Sequence, residues 1–217
     1  MRREIDLQEY TDGRLYQAND MVKIGCDDCS GCSACCRDME ALLLDPYDIH
    51  QLKKGLGTDF QTLLDQSISI RQMEGLLLPV MDTARSQGHC YYLNEQGRCS
   101  IHAFRPGICR LFPLGRYYHD GTFSYILQIH ECKKALQSKC KIRRWLGIPD
   151  LRSYERYILS WHDLLVEIRE QLPYLEEGQS RILNLYLLRS FFQADYGEDF
   201  YTDFDRRLLA ARRDLAL

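Results

Sequence analysis

No stretch of this chain approaches the ~18 consecutive apolar residues of a membrane-spanning helix. The opening residues, MRREIDLQEYTDG, carry charges where a secretory leader would be apolar. These two absences set the expectation of a cytoplasmic protein with no membrane partner, in a reducing compartment where free thiols and metal thiolates persist and disulfides do not. An excess of charge of one sign is missing too. Against 31 Asp and Glu stand 28 Lys and Arg, a net −3, which supplies no global pull toward nucleic acid or an anionic membrane. Internal repeats and low-complexity tracts are absent.

What is present is cysteine, ten of them in 217 residues. Disulfide-dense chains are usually short secreted domains whose cores are too small to hold them together. Here 45% of the residues are hydrophobic, enough for a sizeable core without cross-links. The thiols therefore call for another role.

The chain organises into a cysteine-bearing domain over residues 1–148 and a helical C-terminal extension over 149–217, packed on it. Residues 1–40 are a polar lead-in ending in CDDCSGCSACC. LLLDPYDIHQLKKGLG reads as a strand running into a helix, capped by Asp45, entered through Pro46 and stopped by Gly55 and Gly57. Thr58 is placed to cap a second helix through Leu64. ISIRQ and GLLLPVM read as strands, and RYYHDGTFSYIL as a hairpin turning at Asp120-Gly121. Beyond 149, Tyr154, Tyr157, Ile158, Trp161, Leu164, Leu165 and Ile168 recur at three/four spacing, one face of a helix. Pro173 and Gly178 break that run, and helices follow over Ile182 to Phe192 and Phe204 to Leu215. The expected fold is α+β, a small cysteine-rich, metal-stapled core of short strands and helices with the long helices gathered late.

The chemistry sits in the cysteines. Cys26, Cys29, Cys32, Cys35 and Cys36 fall within eleven residues, separated by Asp, Ser and Gly. A single free cysteine packs like a small hydrophobe, but five in so polar a stretch have no core to pack into. Two cysteines with two residues between them turn both sulfurs toward one ion, the spacing of zinc and iron–sulfur sites. Cys35 and Cys36 are adjacent, and neighbouring side chains diverge in extended or turn geometry, so the simplest expectation sends them to different ions. Cys26, Cys29, Cys32 and Cys36 also match the bacterial ferredoxin run. Arg37 stands where that run has proline, and no second run exists.

A second constellation, CYYLNEQGRCSIHAFRPGICRLFP, carries Cys90, Cys99 and Cys109. Their spacing suits a small hairpin followed by a loop whose ends converge. Cys132 and Cys140 come later. From residue 96 to 144 ten basic residues (Arg98, Arg105, Arg110, Arg116, Lys133, Lys134, Lys139, Lys141, Arg143, Arg144) face only Asp120 and Glu131, a local balance of +8. Such charge lowers thiol pKa values and offsets the negative charge of a four-thiolate site. The aromatics interleaved here read as strand residues, which argues against a nucleic-acid surface. Arg37, Arg105 and Arg110 adjoin the cysteine motifs and are candidate donors to sulfur or to a bound anion. His89, His102 and His130 neighbour cysteines and rank below them as ligands.

The pattern Cys29-x2-Cys32-x2-Cys35-Cys36-Arg37 resembles the signature of the CxxCxxCC family of zinc- or iron-chelating cysteine-cluster proteins. Downstream, Cys90, then Gly97-x-Cys99-x-Ile101, then Arg105-Pro106-x2-Cys109-Arg110-x-Phe112-Pro113 resembles its second motif. The resemblance covers roughly residues 26–146. It implies a ligand set of Cys29, Cys32, Cys35, Cys36, Cys90, Cys99, Cys109 and Cys132, holding zinc or an iron–sulfur cluster. Cys26 and Cys140 lie outside the pattern. The chain departs from it twice, with Cys32-Ser33 where the family commonly has Cys-Gly and no Pro-Gly after Cys132.

A more distant resemblance is to the cysteine domain of flagellin lysine N-methylases, through the helical segment that follows. No glycine-rich methyltransferase loop and no C-x3-C-x2-C spacing is present. Three functions are thus expected: a structural zinc protein whose late helices meet a protein partner, an iron–sulfur protein with methyl transfer as its enzymatic form, or a metal-handling protein. The residues assign no catalytic group, and an open pocket beside Arg105 and Arg110 is the feature that distinguishes a working site from a staple.

Overall fold

The computed structural model describes residues 7–25, 33–37, 42–86, 88–132 and 138–216. Short strands in small sheets and a set of C-terminal helices make the fold α+β. Contacts divide the chain into two units, Met1–Leu42 with Asp82–Pro149, and Leu43–Met81 with Asp150–Leu217. The last break falls between Pro149 and Asp150, and Leu43–Met81 groups by contact with residues 150–217.

The first unit is built on two antiparallel ribbons. Met21–Gly25 pairs with Ser138–Lys141, and Leu114–His119 pairs with Thr122–Leu127. The second ribbon turns through Asp120 and Gly121 at φ 46° and 70°, as a two-residue hairpin requires when its turn twists with the strands. Bridges Thr11↔Gln128 and Tyr16↔Tyr125 lay the N-terminal segment along Thr122–Leu127. Val22, Ile24, Leu111, Tyr125, Ile142 and Leu146 are buried beneath the ribbons. Trp145 donates its indole N–H to the carbonyl of Phe112 (3.0 Å).

A three-stranded sheet, all but Leu42 in the second unit, runs in the order Leu42–Leu43, Leu76–Met81, Ile68–Met73. Helix Pro46–Leu56 is capped by the expected Asp45, whose carboxylate accepts from Asp48 N (2.9 Å) while Asp48 returns the bond. It passes through Gly55 and ends at Gly57, φ 64°. The next helix, Phe60–Gln66, is capped by Asp59 rather than Thr58, because the Asp59 carboxylate reaches Thr62 N at 2.7 Å. Helix Leu151–Gln171 buries all seven residues of the predicted face. Trp161, Phe191 and Phe204 pack ring to ring, with Phe200, Tyr157 and Tyr47 continuing the cluster. Buried aromatics bring large apolar areas, and their tilted and edge-on pairs add to it.

The later helices differ from the sequence expectation. Gly178 does not break a helix but lies inside one, Glu177–Leu187, which continues as a π-helix over Leu188–Gln193. A π turn leaves carbonyls off the normal ladder, and cations take them. Arg207 donates to the carbonyls of Ser190 (2.6 Å), Ala194 and Asp195, and Lys53 to that of Gln193 (3.1 Å). The last helix is Phe200–Asp214, started by Asp199. Among the described residues no helix is long and apolar enough to cross a membrane.

Candidate metal centre

The first motif enters the described chain at Ser33. Its backbone sits at φ 46° in the left-handed region, which glycine adopts freely and other residues rarely. The serine standing where the family commonly has glycine is thus a departure in residue type and not in backbone demand. Ser33 leads into a single 3-10 turn, Ala34–Cys36. Its hydroxyl accepts from Arg37 Nε (3.0 Å), closing the turn from the side.

That turn decides where the adjacent cysteines point. In a strand neighbouring side chains face opposite ways, but three residues per turn rotates them by only about 120°. The sulfurs of Cys35 and Cys36 stand 3.9 Å apart. Two thiolates on one tetrahedral ion, each about 2.3 Å from the metal, are separated by about 3.8 Å. The expected divergence is therefore not what the structure shows; the pair spans the edge that a single ion needs.

The second motif is tied to the first at these residues. Cys90 N donates to the carbonyl of Cys36 (2.8 Å), and Arg37 bridges His89 beside it. From Cys90 the chain makes a small hairpin: Asn94 N bonds to Arg98 O, Ser100 N to Tyr92 O, and Leu93 pairs with Cys99. This brings Cys99 back beside Cys90. Cys109 follows on the short helix Gly107–Leu111.

Electrostatics confirms that these thiols share one neighbourhood. Cys35 and Cys36 share an S–H···S bond, and that bond, with the charge of Arg105 helping and burial opposing, lowers the Cys35 thiol. The same bond drives the second thiol of the pair up, with burial and the charges of Cys35, Cys90 and Cys109 adding to it. Burial raises Cys90, and the charges of Cys99 and Cys35 add to it. Cys99 is raised by burial and by Cys35, with Arg105 pulling the other way. Arg105 offsets thiolate charge at Cys35 and Cys99, and the cluster would gain from more positive charge. A thiophilic cation is the group that would supply it.

The arginines divide. Arg105 donates to the carbonyl of His102 (2.9 Å) and faces that ring's Nε2 at 2.8 Å. Burial, with Arg105 and Arg110 adding, lowers the pKa of His102. Arg110 bonds to the carbonyls of Arg105 (3.1 Å) and Ala103 (2.6 Å) and reaches that of Leu146 at 3.5 Å. Its guanidinium clamps backbone on both sides of Cys109. Arg37 is engaged with Ser33.

Of the remaining candidates, Cys132 is half-buried after the loop that follows Thr122–Leu127, and His130 is exposed beside it. Cys140 lies on the ribbon, its thiol directed at the carbonyl of Lys141 (3.4 Å). His89 holds its Nδ1 against the carbonyl of Cys90 (3.0 Å). Cys26, Cys29 and Cys32 lie outside the described residues, as do Lys133 and Lys134. Among the described residues no three Cys, His, Asp or Glu donors stand close enough to hold an ion. Two sulfurs at chelating distance, with Cys90, Cys99 and Cys109 in the same electrostatic neighbourhood, are donors whose chemistry fits a thiophilic metal. A cleft of ≈ 610 Å³ lies in the second unit, lined by His50, Lys53, Lys54, Asp195 and Tyr196. It contains no cysteine.

The Cys32-Ser33 departure noted in the sequence is thus a position whose backbone takes the conformation that glycine favours.

The model of one family, described as "CxxCxxCC: putative zinc- or iron-chelating domain", matches residues 28–141. The match includes nine of the ten cysteines and leaves out Cys26. No curated protein and no solved structure matches the chain.

Proposed function

Since the chain belongs to the CxxCxxCC family, we propose that its first unit chelates zinc or iron through thiolates drawn from both cysteine motifs, with Cys35 and Cys36 on the same ion. The 3.9 Å separation of those two sulfurs carries the reading. It matches the edge of one tetrahedral ion, about 3.8 Å, and the S–H···S bond that now occupies it is the proton's version of the chelate. The ligand set is Cys29, Cys32, Cys35, Cys36, Cys90, Cys99, Cys109 and Cys132, with Arg105 offsetting charge beside Cys35 and Cys99. Bound there, the metal joins residues 29–36 to 90–132, so its binding free energy is folding free energy of this unit.

Arg110 clamps backbone carbonyls and Arg105 is engaged with His102, which weighs against an anion pocket beside them. That favours a structural centre. Eight thiolates exceed what one tetrahedral ion accepts, which supports a second ion or an iron–sulfur cluster as the other reading. In the structural form the protein would act through a partner, for which the C-terminal segment leaves apolar side chains exposed at Tyr174, Ile182 and Leu209. Elemental analysis and the visible spectrum of anaerobically purified protein test the reading. A colourless protein with stoichiometric zinc supports the single-ion site, a brown one with iron and sulfide supports the cluster, and metal-free folded protein sinks both.

A further inference from the structure

The ten cations between residues 96 and 144 are only partly used by the metal centre. Arg105 acts on the thiols, Arg110 clamps carbonyls, and Arg116 lies over the ring of Phe123 at 5.7 Å. Lys139, Lys141, Arg143 and Arg144 do none of this. The ribbon of Met21–Gly25 and Ser138–Lys141 sorts its side chains by face. Val22 and Ile24 are buried, while Met21, Lys23, Lys139 and Lys141 are exposed. The register sets Lys23 directly across from Lys139, and Met21 across from Lys141. Arg143 and Arg144 extend the same run into the following helix and are exposed.

Like charges directly opposed across a ladder destabilise it. Carboxylates ordinarily relieve such a pair. Among the described residues no carboxylate stands within ion-pair distance of Lys23, Lys139, Lys141, Arg143 or Arg144. The Arg143 guanidinium donates to the neutral side chain of Asn19 (3.2 Å). Among the described residues the face is therefore a concentrated positive field without an ion-paired carboxylate, on a protein whose total charge is −3.

We infer that this ribbon face is a docking surface for an extended acidic polypeptide segment. Lys139 and Lys141, two residues apart on one strand, stand about 6.7 Å apart. Alternate Asp or Glu side chains of an extended chain repeat at the same interval, and Lys23 widens the row across the ribbon. Met21, 50% exposed, adds an apolar contact at one end. Nucleic acid fits less well. The face offers no aromatic ring for base stacking, and a long polyanion meets the net negative charge of the rest of the protein, whereas a short segment lies within one Debye length of the lysines, about 8 Å.

The test uses full-length, metal-loaded protein and a fluorescein-labelled peptide of alternating Glu and Thr, read by anisotropy. Binding that weakens with added salt, and by at least ~10-fold in the Lys139→Glu/Lys141→Glu variant, is expected, with Lys54→Glu in the other unit unchanged. A second readout is independent of the peptide. Lys139→Glu alone turns the Lys23 pair attractive and raises the melting temperature while it lowers peptide affinity. No peptide binding by the wild type, equal binding by the variant, or tighter binding of single-stranded RNA or duplex DNA through the same lysines overturns the inference.

Discussion

Replacing Arg110 with glutamine separates a backbone clamp from an anion site, because the two roles give different signatures. The side chain donates to Ala103 O at 2.6 Å and Arg105 O at 3.1 Å, with Leu146 O at 3.5 Å. The last is at the limit of a hydrogen bond and adds little. A bond from a charged donor contributes about 1.5–3 kcal/mol, and half-burial puts each of the two good bonds at the low end. Glutamine recovers at most one of them as a neutral bond. The expected loss is therefore about 2 kcal/mol, a fall of roughly 4–10 °C in the transition of the cysteine-bearing unit. Scanning calorimetry of metal-loaded wild type and variant reads it directly. A melting temperature within about 1 °C of wild type, together with loss of sulfate or phosphate binding, would refute the clamp and restore the anion pocket.

Three other expectations concern the second unit. Asn184 is buried and accepts from Leu77 N (2.6 Å) while donating to Gly75 O and Ser180 O; Asn184→Ala strands those groups and should cost about 2–4 kcal/mol in urea unfolding. Gly75 turns the hairpin at φ 84°, and an added Cβ would lie 2.7 Å from Leu172 Cδ1, so Gly75→Ala should cost about 1–2 kcal/mol, most of it backbone strain. Burial, with Lys54 and Lys53, lowers the pKa of His50 from 6.5. The unfolded chain then binds a proton that the folded one refuses, so stability falls as pH drops through 6.5 toward the depressed folded value and is flat above. His50→Gln should flatten that slope, and identical slopes would contradict it.

The long-helix face was legible because seven apolar residues at three/four spacing leave one way to bury them, and all seven are buried. The Asp120-Gly121 hairpin was legible because its turn needs two residues tolerant of positive φ. The Cys90–Cys99 hairpin was foreshadowed by spacing alone. Other features depend on contacts that local pattern does not contain. Asp59 outcompetes Thr58 as a cap because its carboxylate reaches Thr62 N. The π turn at Leu188–Gln193 is held by Arg207 and Lys53, both far away in sequence. Nothing in the strand at Leu76–Met81 announces that Asn184 will accept its backbone N–H. At the cysteine motifs the sequence expectation that the structure corrects is the divergence of one dipeptide, Cys35 and Cys36. Whether Cys35 and Cys36 diverge depends on the 3-10 turn between Ser33 and Arg37, and that turn depends on the left-handed backbone of Ser33.

If thiolates from both motifs hold one metal centre, metal stoichiometry in single-cysteine variants shows it directly. Cys36→Ser and Cys109→Ser, purified alongside wild type under the same anaerobic conditions, should each lose bound metal and melt at lower temperature, while Cys140→Ser retains both. Full metal content and an unchanged melting temperature in Cys109→Ser would contradict the two-motif centre.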